Sequence, residues 1–130
     1  VRYSYIDATL SAGYSILVYD RLGVGQSDKP DAYKIAQGPI QIEILNQIIV
    51  LARAGTFSKM SAKYQHLTNP KFDKIVAIRH SLGSIVTSEV LRLYGDVVNV
   101  AVLTGYVPSK YVSALKQQAH GLEFARSHDG

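Results

Sequence analysis

The sequence predicts an α/β protein in which helices cover both faces of a parallel sheet, a three-layer α/β/α arrangement. Three observations carry that prediction. Three short, uncharged runs rich in β-branched residues read as strands: Tyr14–Tyr19, Ile75–Ile78 and Val97–Leu103. Stretches with helical periodicity lie between them, and strands alternating with helices favour parallel pairing through right-handed crossovers. The second run also passes into a helical pattern across only His80 and Ser81, a strand–turn–helix junction too tight for a loop.

Composition sets the outer limits. The chain has 130 residues, enough for one domain, with 47% hydrophobic and 18% charged residues, which excludes a disordered polymer. The net charge is +4, but the cations are scattered and form no basic block, so a nucleic-acid partner is not expected. There is no cysteine, which removes disulfides, thiolate catalysis and Cys-ligated metal while leaving the compartment open. No apolar run approaches the ~20 residues of a membrane-spanning helix. The chain opens Val1-Arg2-Tyr3 without methionine or a signal-peptide pattern. Together with the order of elements, this reads as the central fragment of a longer domain.

Taken in order, Ser4–Ala12 is a short helix stopped by Gly13. The strand Tyr14–Tyr19 runs into Asp20-Arg21-Leu22-Gly23-Val24-Gly25-Gln26-Ser27-Asp28-Lys29-Pro30, whose glycines, aspartates and proline mark a loop. A dinucleotide fingerprint fails here, because Asp28 stands at the third glycine position and Pro30 follows. Gly38-Pro39 opens a second helix, proline being at home in the first turn. Its stripe is Ile40, Ile44, Ile48 and Leu51, widened by Ile42, Leu45 and Ile49, so the helix is expected to be largely buried until Gly55 ends it. Such a stripe also suits a groove-binding helix, but flanking strands favour core packing. Residues 56–73 are polar and interrupted by Asn69-Pro70; His66 lies there with no second histidine at metal-ligand spacing. After the second strand, Leu82, Val86, Val90 and Leu93 form one helical stripe, and Gly95-Asp96 turns into the third strand. Ser109–Gln118 reads as a short helix before a tail without clear period.

Two stretches carry a resemblance. Arg79-His80-Ser81-Leu82-Gly83 resembles the nucleophile elbow of the α/β-hydrolases, Gly-x-Ser-x-Gly, with its last glycine kept and its first replaced by arginine. Asp20, Gly23, Gly25 and Ser27 match the Asp-x-x-Gly-x-Gly-x-Ser loop that many members carry after the preceding strand. The resemblance implies a partial α/β-hydrolase fold over residues 1–130, comprising the strands commonly counted four to six and their helices. It also implies that Ser81 is the nucleophile and that the Leu82 N–H belongs to the oxyanion hole. The chemistry is sound in outline, since a serine hydroxyl needs a neighbouring base and helix-start amides stabilise developing negative charge. A serine at a helix start is also an ordinary N-cap. The loop at 20–27 is expected to be structural.

The resemblance implies hydrolysis of an ester or related bond of a small-molecule substrate, with no metal and no organic cofactor. The remaining parts are missing from the pattern. The third strand ends Thr104-Gly105-Tyr106 without a carboxylate, and His120, Glu123, His128 and Asp129 lack the family's strand–loop context. His80 directly precedes the serine and is not the base. The chain alone is therefore expected to be inactive. A non-catalytic binding protein of the same fold is one alternative, and a truncated product without a stable fold is another. Arg79 is expected to crowd the strand–helix crossing, or else to bind an anion. Exposed sheet edges are expected to drive self-association.

Overall fold

A computed structural model describes residues 4–60, 63, 66 and 69–106. The element order is α1 (Tyr5–Ser11), α2 (Gly38–Ala54), a 3-10 turn (Phe57–Met60), β1 (Val76–His80), α3 (Leu82–Tyr94) and β2 (Val100–Thr104). β1 and β2 pair in parallel, with Val76 opposite Val100 and His80 opposite Thr104. α3 is the crossover between them and packs on α2 and on the sheet. The architecture is α/β, with helices against a small two-stranded parallel sheet.

Each element begins and ends for a local reason. Ser4 caps α1, its Oγ accepting the Asp7 N–H at 3.1 Å. Pro39 sits in the first turn of α2, and Gly55 closes that helix in the left-handed region at φ 64°. A Cβ on Gly55 would press on Lys71 and on the Asn69 carbonyl, so the chain's return past α2 depends on glycine there. Asn69 secures that return, its Oδ1 accepting the Ser58 N–H and its amide nitrogen donating to Ser58 Oγ.

The first of the three expected strands is absent. Tyr14–Tyr19 has no regular secondary structure and pairs with neither β1 nor β2. Composition and alternation describe a segment that suits a sheet, but a strand exists only where another backbone lies about 4.8 Å away to accept its hydrogen bonds. The final strand is also shorter than the apolar run, beginning at Val100 because residues 96–99 form a bend.

Both long helices bury only part of their apolar stripes and turn polar residues inward beside it. On α2 the buried residues are Gln41, Leu45, Asn46 and Ile49, while Ile40 is exposed, and the helix is not largely buried. Gln41 earns its place by donating from Nε2 to the Leu22 carbonyl at 2.8 Å. On α3, Val86 and Val90 are buried together with Ser84 and Thr87, whereas Leu82 and Leu93 are about half exposed, at 49% and 51%. Thr87 Oγ1 donates to the Gly83 carbonyl at 2.9 Å, and Ser84 Oγ to the Thr104 carbonyl at 2.9 Å. Polar side chains whose hydrogen bonds are satisfied can occupy a core that a purely hydrophobic pattern does not assign to them.

The apolar core is Leu45, Ile49, Ala77, Val86, Val90 and Val98. Among the described residues, helices cover one face of the sheet. Val76, Ile78, Val100 and Val102 alternate out of the other face and are 41–53% exposed. Arg53, from the last turn of α2, ties the strand starts together. Its Nε donates to the Val97 carbonyl, Nη1 to the Asp73 carbonyl and Nη2 to Asn99 Oδ1, at 3.0, 3.0 and 3.1 Å. Asn99 Oδ1 also accepts the Ile75 N–H at 2.8 Å. One guanidinium thus holds the entry to β1 and the bend before β2.

Candidate functional site

β1 ends at His80 and α3 begins at Leu82, leaving Ser81 alone to make the turn. Its backbone stands at φ 51°, ψ −122°, the only positive φ of a non-glycine residue among the described residues. This region is ordinarily left to glycine, and holding a serine in it costs about 1–3 kcal/mol. The surrounding hydrogen bonds impose it. The Ser81 N–H donates to the Thr104 carbonyl at 2.9 Å, continuing the β1–β2 ladder one residue past the strand. The Ser81 carbonyl already accepts from Ser84 N–H at 2.9 Å and Ile85 N–H at 3.3 Å, opening the helix. One residue belongs to both ladders, and its φ/ψ is what joins them.

The Ser81 side chain does not cap α3. An N-cap serine accepts a first-turn amide with its own Oγ. Ser81 does not, and among the described residues its exposed hydroxyl has no hydrogen-bond partner. The Leu82 and Gly83 amides therefore stay uncapped at the positive end of a 13-residue helix.

Thr104, opposite the turn, is the residue that the motif reading passes over. Its carbonyl accepts both the Ser81 N–H and the Ser84 hydroxyl. Its Oγ1 donates to the Arg79 carbonyl at 3.0 Å and lies 3.0 Å from His80 Nδ1. A threonine hydroxyl has one proton. With that proton on Arg79, the His80 contact requires an Nδ1–H donor, which leaves Nε2 as the acceptor of the neutral ring. Gly105 stands behind that ring at φ 57°, and a Cβ there would lie 2.6 Å from His80 Cε1. The pattern had offered only the absence of a carboxylate at this strand end. The register pairing of Thr104 with His80 is a tertiary fact and has no local signature.

Arg79 does not crowd the crossing. A Cβ built on Gly83 would sit 3.6 Å from Arg79 Cβ and Cδ, ordinary van der Waals contact. The arginine is half-buried, with its guanidinium carbon 5.4 Å from the centre of the Tyr19 ring, a cation–π arrangement. An open depression of ≈ 400 Å³ lies here, lined by Tyr19, Arg21, Arg79, His80, Ser81 and Leu82 over Leu45, Ile78, Gly83 and Val86. No carboxylate is among these residues, and His80 is their only histidine.

The loop at 20–27 borders the same depression and satisfies itself. Asp20 Oδ2 accepts the Gln26 N–H at 2.9 Å, and Ser27 Oγ donates to the Asp20 carbonyl at 2.6 Å. Gly23 and Gly25 have φ of 91° and 57°. A Cβ on Gly25 would overlap the Asp20 carboxylate, with Oδ1 2.7 Å away. All four matching residues of the loop thus take part in one turn.

His66 lies among the described residues, and no cluster of three or more potential metal ligands occurs among them. Among those residues no helix is long and apolar enough to cross a membrane. The expected helix Ser109–Gln118 and His120, Glu123, His128 and Asp129 lie outside the described residues. No protein-family model, no curated protein and no solved structure matches the chain.

Proposed function

We propose that Ser81 is the nucleophile of a serine-hydrolase-type site, in a chain built as part of a three-layer, α/β-hydrolase-like fold. One observation carries the reading: a strained, uncapped serine between a parallel strand and a helix start, with its hydroxyl free. In the reaction Ser81 Oγ would bond to an ester carbonyl carbon and lose its proton to a base. The Leu82 N–H would hold the oxyanion, the alcohol would leave, and water would release the acid from the acyl-serine. Among the described residues the depression supplies nucleophile and donor but no acid–histidine pair, and the chain by itself is inactive.

Chemical rescue tests this directly. Without additive, p-nitrophenyl acetate is expected to leave no acyl group on Ser81. With imidazole supplied as the base, mass spectrometry is expected to find acetylation at Ser81 ahead of Ser27, Ser84 and Ser88, and none there in Ser81→Ala. Equal acetylation of the four serines would remove Ser81 from the nucleophile role.

The lack of a carboxylate in the depression favours a second reading, a non-catalytic binding protein of the same fold, and that result would select it. We also infer self-association through the unpaired strand edges and the bare Val76, Ile78, Val100 and Val102 face. Sedimentation at micromolar concentration should show oligomers; a monomer that unfolds cooperatively would refute this.

A further inference from the structure

We propose that the depression beside Ser81 is a binding site for a small organic oxyanion, a phosphate or carboxylate carried on an apolar body, with Arg21 and Arg79 as its anion-binding residues. The inference does not require Ser81 to react.

The charge around the depression is one-sided. Arg21 enters from the loop after Tyr19 and Arg79 from β1, and among the described residues no acid lines the space between them. Among the described residues neither guanidinium has an ion-pair partner, and the single ion pair there is Arg92–Glu89, on the exposed side of α3. The acid nearest in sequence, Asp20, is not available, because its carboxylate is turned into its own loop against Gly25 and accepts the Gln26 N–H. A half-buried cation without a counter-ion is costly, and proteins ordinarily place an acid or a ligand opposite it.

Arg79 is also held ready. Its guanidinium lies over the Tyr19 ring, and its stem runs through the space that Gly83 leaves open. An ordered planar fork loses less entropy on binding an oxyanion than a free side chain does. The uncapped Leu82 and Gly83 amides add a second set of donors on the same wall. Leu82, over Leu45 and Val86, supplies the apolar surface, so inorganic phosphate would meet only half of the site. An aryl phosphate or aryl carboxylate meets both halves.

The test is a titration of the full chain with phenyl phosphate, phenylacetate and neutral benzyl alcohol, followed by the amide NMR shifts of Leu82 and Gly83. Both anions are expected to saturate, and benzyl alcohol to bind at least about tenfold more weakly, a tenfold change being 1.4 kcal/mol. Binding of the anions should weaken as salt rises. Arg79→Gln and Arg21→Gln are each expected to weaken phenyl phosphate binding about five- to tenfold, whereas Arg92→Gln should leave it unchanged. Arg21 lies on a loop outside the core, so its variant reports on binding even if Arg79→Gln disturbs folding, which circular dichroism would show. Ser81→Ala should still bind phenyl phosphate, which separates this inference from the acyl-transfer reading. If benzyl alcohol binds as well as the anions, if nothing saturates, or if neither Arg21→Gln nor Arg79→Gln weakens binding, there is no anion site.

Discussion

The loop at 20–27 and the elbow at 79–84 border the same depression and contain similar residue types, but they dispose of their polar groups in opposite ways. In the loop, both positive-φ positions after Asp20 are glycines, and the Asp20 and Ser27 side chains are satisfied inside the turn. In the elbow the positive φ falls on a serine, while among the described residues the Ser81 hydroxyl, the first amides of α3 and the Arg79 guanidinium have no protein acceptor or donor opposite them. A turn that satisfies itself is scaffold. The other turn stores strain and leaves its polar groups without protein partners among the described residues, and that contrast is the basis of the proposed site.

The comparison can be broken most strongly at Gly25. An alanine there would force the Asp20 carboxylate off the Gln26 N–H and put a Cβ at φ 57°. Gly25→Ala should cost about 2–3 kcal/mol in urea unfolding; an unchanged midpoint would mean that the loop is not built around Asp20. The elbow predicts the opposite sign. Ser81→Gly should stabilise the chain by about 1–2 kcal/mol by relieving the backbone, and Ser81→Ala should not, because alanine keeps the Cβ. A stabilised alanine variant would show that the side chain, and not the backbone, carries the cost.

A smaller effect sharpens the contrast between the glycines. Gly83 has helical backbone and ordinary contact distances around an added Cβ. Gly83→Ala should therefore fall within about 1 kcal/mol of the parent, helix propensity favouring alanine. A large loss would restore the close-packing role that the motif suggests for this position.

The smallest expected effect lies outside both regions and serves as their baseline. Tyr94 OH donates to Glu43 Oε2, and with Gln47 it holds the Glu43 carboxyl below its ordinary value of 4.5. The folded pKa being the lower one, this contact stabilises above the unfolded value and is lost as pH falls through the folded value. The same bond raises the Tyr94 phenol, so on the alkaline side its contribution is lost as pH rises through the raised value. Both groups are exposed, and the effect is correspondingly small. Tyr94→Phe should flatten the acid limb of stability below pH 4.5 without changing the behaviour of Ser81; an unchanged limb would show that solvent screens the pair entirely.

Much of this was legible in the residues themselves. Ser4, Pro39, Gly55 and Gly95 mark helix ends through backbone chemistry that acts within one turn. The junction at Ser81 was legible because a strand run and a helix run leave it no room to be anything else. The loop's Asp20, Gly23, Gly25 and Ser27 lie within eight residues of one another, so their mutual contacts are written locally.

What needed the tertiary structure is what depends on a second piece of chain. Tyr14–Tyr19 has the composition of a strand, but pairing belongs to two backbones, and among the described residues no strand pairs with it. The inward faces of α2 and α3 turn toward Gln41 and Ser84 because the distant Leu22 and Thr104 carbonyls offer them acceptors. Thr104, the hinge of the candidate site, acts through a parallel register with β1 that no spacing in the sequence records. Arg79 is tolerated because a tyrosine sixty positions earlier lies beneath it. Local backbone preferences are carried by single residues and their nearest neighbours; hydrogen-bond partners and counter-charges are shared between distant segments, and only folding brings them together.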